Sequence, residues 1–524
     1  GLELINVTDV APDETRATIG PGGIDLGTDL DNDALFGIGD TPGSEFFGRF
    51  AAGGDFFGYI DPDGKGWRFS GDFAFKDQGF TRTWGVDGRI VWELSPDITL
   101  TSVTDFKSYD KLLFIDVDAA PVNQSANYAG VDATSVTQEV RLNGTSGRLT
   151  WVAGLYYLNI DDDADNGLKF PQGSVVPGAP FDLGVDARLK TNSYSGFVHL
   201  QYDVTDTLDF VLGARLIQEK KNYFFQQAIY FTQSSFQIHQ GTPILIGPVF
   251  GAGGPEPFTA KTSDTLWAGV ARIEYKPTDA FMWWASVKRG VKAGSFNAQL
   301  AGGIPVPNSA IPYRPEVLYS YETGIKSDVL NGLARFNANV FYYDYNDYQS
   351  FLFTGVSGVV INADAKYKGA EAEFVVSPVD GLDIRLAGSW IDATVKDVPL
   401  RVGGPIIRDV RPNYTPKWQF QSMIAYEWPA FGGLMRVLAE GNYSSNFFYN
   451  LRNFDADKFD GYFLLNTRIG WTTEDDRWEV AFRIRNLTQE KAGVQGFDLA
   501  TLCGCNEISF RPPRWFGLEV RYKR

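Results

Sequence analysis

The sequence predicts an all-β protein, a transmembrane antiparallel β-barrel with short periplasmic turns and long extracellular loops. Two observations predict this fold. Apolar and polar residues alternate along segments of roughly 12 to 18 residues, a period of two that is typical of β-strands. The connections between these segments are alternately very short and very long, which is the loop pattern of outer-membrane barrels.

The segment 434–444 shows the alternation clearly. Met435, Val437 and Ala439 fall on one face, whereas Arg436 and Glu440 fall on the other. The same pattern recurs in the segments 334–342, 461–471 and 478–485. One apolar and one polar face fit either a soluble β-sandwich or a barrel in lipid. Length favours the barrel, because strands of soluble proteins average about 5–6 residues and membrane strands need about 9–11.

The connections fall into two length classes. Eight short ones have the composition of turns: Ser95-Pro96-Asp97, Ser146-Gly147, Thr205-Asp206-Thr207, Pro277-Thr278-Asp279, Leu330-Asn331-Gly332, Pro378-Val379-Asp380-Gly381, Phe431-Gly432-Gly433 and Glu474-Asp475-Asp476. Long loops are predicted between them, at 113–134, 163–188, 227–260, 297–315, 399–415, 445–458 and 499–510. Strict alternation places all short turns on one side of the sheet and all long loops on the other. A soluble β-sandwich has no physical reason to sort its connections by length in this way.

Aromatic residues cluster where the predicted strands leave the apolar band. The clusters are Trp283-Trp284, Tyr342-Tyr343-Tyr345, Trp428, Tyr443-Phe447-Phe448-Tyr449, Trp471 and Trp478. Packing in a core or within loops is one explanation. Girdles at the two membrane interfaces explain the position at strand ends better.

Composition excludes several classes of function. The chain has 524 residues and a formal net charge of −17, with no basic block, so a nucleic-acid partner is not expected. Two histidines and a single Cys-Gly-Cys pair leave little for a zinc site. No run approaches 18 apolar residues, which excludes a transmembrane helix. No nucleophile–base constellation is recognised, so we do not expect an enzyme.

Counting strands predicts where the chain begins. Eight turns join sixteen strands, and the segment Trp515–Arg524 makes a seventeenth. If the short turns are periplasmic, residues 1–77 form a long extracellular loop region before the first clear strand. Because closed bacterial barrels of this kind have an even number of strands, at least one strand is expected upstream or within 1–77. We therefore expect the chain as given to be incomplete.

Motifs in order along the chain resemble the barrel of TonB-dependent outer-membrane receptors, over residues 78–524. The motifs are Thr101-Ser102-Val103-Thr104-Asp105-Phe106, Thr137-Gln138-Glu139-Val140-Arg141-Leu142, Gly213-Ala214-Arg215, Lys292-Ala293-Gly294-Ser295-Phe296-Asn297, Tyr321-Glu322-Thr323-Gly324-Ile325-Lys326, Gly369-Ala370-Glu371-Ala372-Glu373, Arg485-Asn486-Leu487-Thr488 and Pro512-Pro513-Arg514-Trp515-Phe516-Gly517-Leu518. Each is weak alone, whereas the set in this order is specific. One departure is Arg524, since the family usually ends in an aromatic residue, here matched only by Tyr522.

The resemblance implies a 22-stranded barrel together with an N-terminal plug and a TonB box. Neither the plug nor the TonB box is recognised in this sequence. It implies a bacterial outer-membrane transporter that imports a scarce, bulky substrate of siderophore-iron, cobalamin or oligosaccharide type with TonB energy. The implied partners are the TonB complex, outer-membrane lipid with lipopolysaccharide, and the small-molecule substrate. Two alternatives remain: a passive outer-membrane channel without a plug, and a secreted glycan-binding or structural β-protein.

Six cations are predicted to face the lumen and are candidates for substrate binding: Lys288, Lys292, Arg436, Arg468, Arg483 and Arg485. The alternative is that these charges pair with carboxylates of the plug or of neighbouring strands, and we favour it. Asp161, Asp162, Asp163 and Asp165 are weak candidates for a calcium site, because calcium takes six to eight oxygen ligands. No closing Glu at the proper spacing follows, so solvated loop acids are favoured and no cofactor is expected.

The two cysteines and the two histidines say little about function. Cys503 and Cys505 lie in the last outer loop, where the environment is oxidising, and a tight disulfide between them is a possibility. His199 is predicted on a strand and His239 in a loop. Isolated histidines of this kind are more often structural or surface residues than ligands.

Overall fold

The structure, a computed structural model, describes residues 2–6, 17–19, 25–28, 79–116, 126–170, 180–231, 237–245, 256–298, 308–354, 357–400, 407–499 and 505–524. The chain is built from strands: β1 (Leu2–Asn6), β2 (Ala17–Ile19), β3 (Asp25–Thr28), β4 (Phe80–Ser95), β5 (Ile98–Asp116), β6 (Ala126–Ser146), β7 (Leu149–Phe170), β8 (Phe181–Thr205), β9 (Leu208–Tyr230), β10 (Ile244–Leu245), β11 (Phe258–Thr278), β12 (Phe281–Lys292), β13 (Ser295–Phe296), β14 (Pro312–Tyr313), β15 (Glu316–Val329), β16 (Ala334–Thr354), β17 (Ser357–Val379), β18 (Leu382–Pro399), β19 (Ile407–Val410), β20 (Trp418–Ala430), β21 (Gly433–Ser444), β22 (Phe447–Phe448), β23 (Lys458–Phe459), β24 (Tyr462–Thr473), β25 (Trp478–Arg485), β26 (Gly493–Leu499), β27 (Cys505–Phe510) and β28 (Trp515–Tyr522). Short 3₁₀ turns lie at Asn308–Ala310, Leu330–Gly332 and Asp455–Asp457.

Within the described residues, seventeen long strands form one large antiparallel sheet with the topology of a barrel. Each long strand pairs with the next along the chain, from β4 to β28. The short strands β10 and β19 add to the edges of β9 and β18. The predicted number of seventeen strands is confirmed, and a single continuous sheet excludes the β-sandwich. β4 is the first strand of this sheet, and nearly every one of its residues is exposed.

The two faces of the wall differ as the alternation predicts. Exposed apolar side chains form a band on the outer face, with members on most long strands: Trp84, Ile90, Leu155, Val198, Leu216, Val287, Tyr321, Val340, Phe420, Ile424, Ile469, Val480 and Leu518. The intervening positions face the lumen and carry amides and charges, as at Lys288 beside Val287. An apolar belt of this kind suits the hydrocarbon layer of a membrane.

Aromatic residues do not all belong to interfacial girdles. Trp283 and Trp478 are exposed on the outer face, as a girdle requires. Phe447 and Tyr449 are instead buried in a cluster with Phe459. The cluster forms because the loop after β21 folds back on itself, with β22 paired to β23. Trp284, Tyr343 and Tyr345 alternate to the lumen face, so the girdle prediction was wrong for these residues too.

All eight predicted turns lie where short connections join consecutive strands, at one end of the barrel that we call the short-turn end. Gly381 shows why such a turn needs glycine. Its φ is 79°, in the left-handed region, and an added Cβ would overlap the carbonyl oxygen of Glu427 on the neighbouring β20. Gly332 has a similar φ of 85° but open space around it.

These two glycines provide a matched prediction. Gly381→Ala should lower the free energy of unfolding by about 2 to 4 kcal/mol, because left-handed strain adds to a clash with backbone. Gly332→Ala should cost only the strain, about 1 to 2 kcal/mol. The measurement is the urea midpoint of the folded, heat-modifiable band on gels. Equal losses for the two variants would mean that the contact with Glu427 is unimportant.

The strands extend further than the sequence predicts at the end opposite the short turns, the long-loop end. The loops predicted at 113–134, 163–188 and 227–260 contain strand up to residues 116, 170 and 230, and strand again from 126, 181 and 258. Those boundaries were wrong because both faces of the sheet meet water here, which removes the alternation of apolar and polar residues. We call this projecting part of β6–β9 the collar, comprising 126–134, 161–170, 181–190 and 219–230.

Loop segments cover the long-loop end. Ile311 and Phe296, from the connection between β12 and β15, pack against Val185 and Phe225 inside the collar. Leu451, from the connection between β21 and β24, packs against Leu352 and Val395 and is fully buried. Among the described residues no helix has the length and apolarity to cross a membrane. Most of 1–77 lies outside the described residues, although β1 pairs with β27.

Candidate functional site

All six predicted cations lie on the lumen face: Lys288, Lys292, Arg436, Arg468, Arg483 and Arg485. Four of them contact a carboxylate of their own or a neighbouring strand, in the pairs Lys288–Glu322, Arg436–Glu427, Arg468–Glu479 and Arg483–Glu519. Arg485 lies over the ring of Trp515, 5.7 Å from its centroid. Lys292 is exposed opposite Glu316 in the register of β12 and β15. Their part in substrate binding stays a prediction.

Glu322 is the centre of a compact hydrogen-bonded group on the lumen wall. Lys288 Nζ donates to its Oε2 at 2.7 Å. Ser320 Oγ and Tyr343 OH each donate to its Oε1 at 2.9 Å. The Glu322 side chain is only 13% exposed. Three donors on one carboxylate fix the Lys288 ammonium to the wall rather than leaving it free in the lumen.

A second network of charged side chains lies on the lumen wall near the short-turn end. Arg521 on β28 bridges Glu479 at 3.2 Å and Glu519 at 2.9 Å. The two glutamates in turn contact Arg468 and Arg483. Positive and negative groups therefore alternate across β24, β25 and β28, so two of the predicted binding cations already have internal partners.

Between these networks the lumen wall is polar and concave. The lining residues are amides, hydroxyls and carboxylates of β16, β17, β18 and β20: Asn337, Asn339, Glu371, Glu373, Ser389, Gln419 and Gln421. Their mutual hydrogen bonds are few and long, as between Asn339 Nδ2 and Glu371 Oε2 at 3.3 Å. Side chains with spare donors and acceptors can serve a polar solute in the lumen.

Aromatic rings mark the lumen side of the long-loop end. Tyr345 lies 5.2 Å from Tyr348 and 5.3 Å from Tyr367, measured between ring centroids. All three are partly exposed and pack against the buried cluster around Leu352. Aromatic faces with phenol groups at their rim suit a ligand that has both flat apolar and polar parts.

One asparagine holds the segment 292–297 across this mouth. Asn297 Nδ2 donates to the carbonyls of Ala310 at 2.8 Å and Val360 at 3.0 Å, and Val360 N–H donates back to Asn297 Oδ1 at 2.7 Å. Tyr223 OH donates to the Asn297 carbonyl at 3.0 Å. The mouth is thus tied to β9 and β17 through Asn297, the last residue of the motif 292–297.

The four candidate calcium ligands do not converge on one point. Asp161 and Asp163 pair with Lys190 and Arg188 on the outer face of the collar. Alternation turns Asp162 to the opposite face, and Asp165 lies further along β7. Cys503 and the side chain of Cys505 lie outside what the structure describes, so the disulfide remains a prediction. His199 is on β8 as predicted.

The collar holds two features that the sequence analysis missed. Lys169 and Asp182 form an ion pair whose side chains are 1% and 2% exposed. His239, in the described segment 237–245, contacts Asp186 rather than lying free. Only the register of β7 and β8 places Asp165 opposite Asp186 and Lys169 opposite Asp182. No local sequence pattern predicts that register.

Comparison with known proteins identifies the architecture. The family model of the TonB dependent receptor-like β-barrel matches residues 11–487, which is most of the chain. This agrees with a wide antiparallel barrel that has short turns at one end and folded loops at the other.

Solved structures share the same fold. The ferric yersiniabactin uptake receptor FyuA from Yersinia pestis superposes with a TM-score of 0.66 at 16% identity, covering 85% of this chain and 61% of that one. The ferric-catecholate import receptor Fiu from E. coli K12, in its closed form, gives 0.62 at 15%, with coverages of 87% and 65%. The siderophore receptor PiuA from Acinetobacter baumannii gives 0.61 at 16%, with coverages of 85% and 65%. The chain thus spans less than two thirds of each of these receptors.

Proposed function

The chain belongs to the TonB-dependent receptor β-barrel family, and from this premise we propose that it takes part in TonB-driven import of a ferric siderophore. Members of this family are receptors and transporters of the outer membrane of Gram-negative bacteria, and this barrel is located there. The short-turn end is therefore periplasmic and the long-loop end extracellular.

The single observation that carries the substrate class is the mouth of the lumen. Tyr345, Tyr348 and Tyr367 form an aromatic group above a polar wall, beside loops that fold over the opening. Siderophore chelates combine planar donor groups with polar amides, so rings and amides together suit them. FyuA, Fiu and PiuA share this fold and are receptors for ferric yersiniabactin, ferric catecholates and siderophores, which supports the same class.

Electrostatics favour a chelate over a free anion. Lys288, Arg436, Arg468 and Arg483 are each neutralised by a carboxylate of the wall. Because four of the six lumen cations are paired in this way, the wall offers only a weak field to concentrate small anions. Selectivity then falls to shape and hydrogen bonding at the mouth.

The test is uptake of ⁵⁵Fe bound to catecholate and hydroxamate siderophores by a strain that expresses the full-length receptor and by its deletion mutant. We expect uptake of at least one chelate to fall to background when the receptor gene or tonB is deleted, and to recover on complementation. Uptake that persists without tonB would identify a passive channel. Normal iron uptake with lost growth on an oligosaccharide or cobalamin source would reject the substrate class while leaving the transporter role.

A tyrosine variant separates the mouth from the rest of the receptor. Tyr348→Ala should weaken chelate binding to whole cells, because it removes one of three clustered rings. Tyr342→Ala is the matched control, since Tyr342 is on the same strand but exposed on the outer face. Equal binding by both variants would argue against the aromatic mouth as the substrate contact.

A further inference from the structure

The outer face of the collar carries a row of charged pairs between β7 and β8. The register of these strands is unbroken and sets Asp161 opposite Lys190, Asp163 opposite Arg188, Asp165 opposite Asp186, and Lys169 opposite Asp182. The first, second and fourth pairs are ion pairs. This face points away from the lumen, because Tyr157 and Tyr194 of the outer face share its alternation.

The pair Asp165–Asp186 breaks the pattern. Two carboxylates directly opposite each other across neighbouring strands repel and destabilise the pairing. The other pairs in the row show that opposite charge is available at this register. The two acids therefore concentrate negative charge at one position of an otherwise matched row.

His239 reaches this position from the segment 237–245. Its Nδ1 lies 2.9 Å from Asp186 Oδ1 and 3.7 Å from Asp165 Oδ1. Its ring stacks on Tyr230 with centroids 4.4 Å apart, and its Nε2 lies 2.8 Å from Tyr128 OH. The side chain is 11% exposed. The hydrogen bond at Nε2 and the stacking fix the ring so that Nδ1 faces the two carboxylates.

The distances match a metal site. Tetrahedral zinc with bonds of about 2.1 Å places its ligand atoms roughly 3.4 Å apart. The separations of 2.9 and 3.7 Å bracket that value, and one ligand atom from each of the three residues lies within 4.8 Å of the others. An imidazole nitrogen with two carboxylates suits zinc and its neighbours, whereas calcium and magnesium take oxygen ligands.

Neighbouring groups hold the ligands in place. Gln226 Nε2 and Tyr230 OH both donate to Asp186 Oδ2 at 2.9 Å, which leaves Oδ1 directed at His239. Burial acts to raise the pKa of the Asp186 carboxyl, but the hydrogen bonds from His239, Gln226 and Tyr230 together outweigh burial and lower that pKa. Supporting bonds of this kind orient metal ligands in known sites. The Asp165 side chain is 53% exposed, so a fourth position is open to water.

We propose that Asp165, Asp186 and His239 bind one divalent transition-metal ion on the outer face of the collar, with zinc as the preferred probe. The ion would join β7 and β8 to the segment 237–245 and would neutralise the opposed carboxylates. The site lies outside the lumen, so it is independent of the substrate path and of the proposed import.

The experiment uses the full-length receptor in detergent micelles, stripped with EDTA, and measures Zn²⁺ binding by isothermal titration calorimetry at neutral pH. We expect one ion per chain, and at least a tenfold weaker affinity for His239→Ala and for Asp186→Asn, since each removes a ligand. Asp161→Asn is the matched control, because it removes a carboxylate from the same row at an ion pair. It should bind zinc as the unmodified receptor does.

Two further measurements distinguish loss of the metal site from misfolding of a variant and from zinc binding elsewhere on the receptor. Heat-modifiable migration on gels shows whether each variant is folded, and His239→Gln keeps the volume of the side chain if His239→Ala does not fold. Co²⁺ in place of zinc should give visible absorption bands, which disappear in the His239 variants. Zinc affinity that is the same with and without His239, or binding of Ca²⁺ as tight as that of Zn²⁺, would overturn the proposal.

Discussion

Replacing Lys169 with methionine should destabilise the collar by about 3 to 5 kcal/mol, because it leaves Asp182 buried without the cation it contacts. Lys169 Nζ lies 2.8 and 2.9 Å from the two carboxylate oxygens of Asp182 and donates to the Gln237 carbonyl at 2.6 Å. The same ammonium therefore ties the segment 237–245 to two strands. Methionine keeps most of the volume and removes the charge.

Hydrogen–deuterium exchange on the full receptor in micelles is the measurement for this variant. Amides at 165–170, 181–186 and 237–239 should exchange much faster, whereas amides near the short turns should not change. Lys190→Met is the control, because the Lys190–Asp161 pair is about half exposed and such pairs contribute at most about 1 kcal/mol. Similar protection in both variants would show that burial adds nothing to the Lys169 pair.

Glu322→Gln should cost about 2 to 3 kcal/mol of barrel stability, because hydrogen bonds to a charged group are worth about that much. Glu322 accepts from Lys288, Ser320 and Tyr343. Glutamine would replace one accepting oxygen by a donor and remove the charge opposite Lys288. The expected result is a lower urea midpoint of the folded band.

Glu371→Gln is the matched control for this change, since Glu371 faces the same lumen and accepts a weak bond of 3.3 Å from Asn339. It should leave the midpoint unchanged within error. If Glu322→Gln instead leaves stability intact and alters chelate uptake alone, the carboxylate belongs to the substrate path and not to the wall.

Much of the barrel could be predicted from the sequence because the bilayer imposes a simple pattern. Where one face meets lipid and the other meets the lumen, residues alternate, as in 434–444, and the strands there were recognised correctly. Turns such as Leu330-Asn331-Gly332 were recognised because left-handed backbone favours Asn and Gly, as at Asn331 and Gly332. Both signals are local in the chain.

The collar could not be predicted in the same way. Residues 161–170 and 181–190 form regular strands, yet both faces meet water or loops, so polar side chains occupy both. What holds them is pairing across strands, as between Asp163 and Arg188. Pairing depends on register, which joins residues distant in the sequence.

The same limit applies to the candidate site. The six lumen cations could be assigned to the correct face from alternation, but their partners could not. Glu322 and Glu519 lie on other strands from Lys288 and Arg483. His239 was interpreted as an isolated loop histidine, because only the folded chain places it beside Asp165 and Asp186.

The length of the collar strands also sets how far this part of the barrel wall projects above the membrane surface. β8 has 25 residues, of which about ten cross the hydrocarbon layer. Ten further residues at about 3.3 Å each, tilted by about 40°, raise this part of the wall roughly 25 Å above the lipid. Elsewhere the strands are shorter, since β20, β21, β24, β25 and β28 have only 8 to 13 residues. The extracellular rim is therefore uneven: strands form it at β6–β9, whereas folded connections such as the one that carries Leu451 form it between β21 and β24.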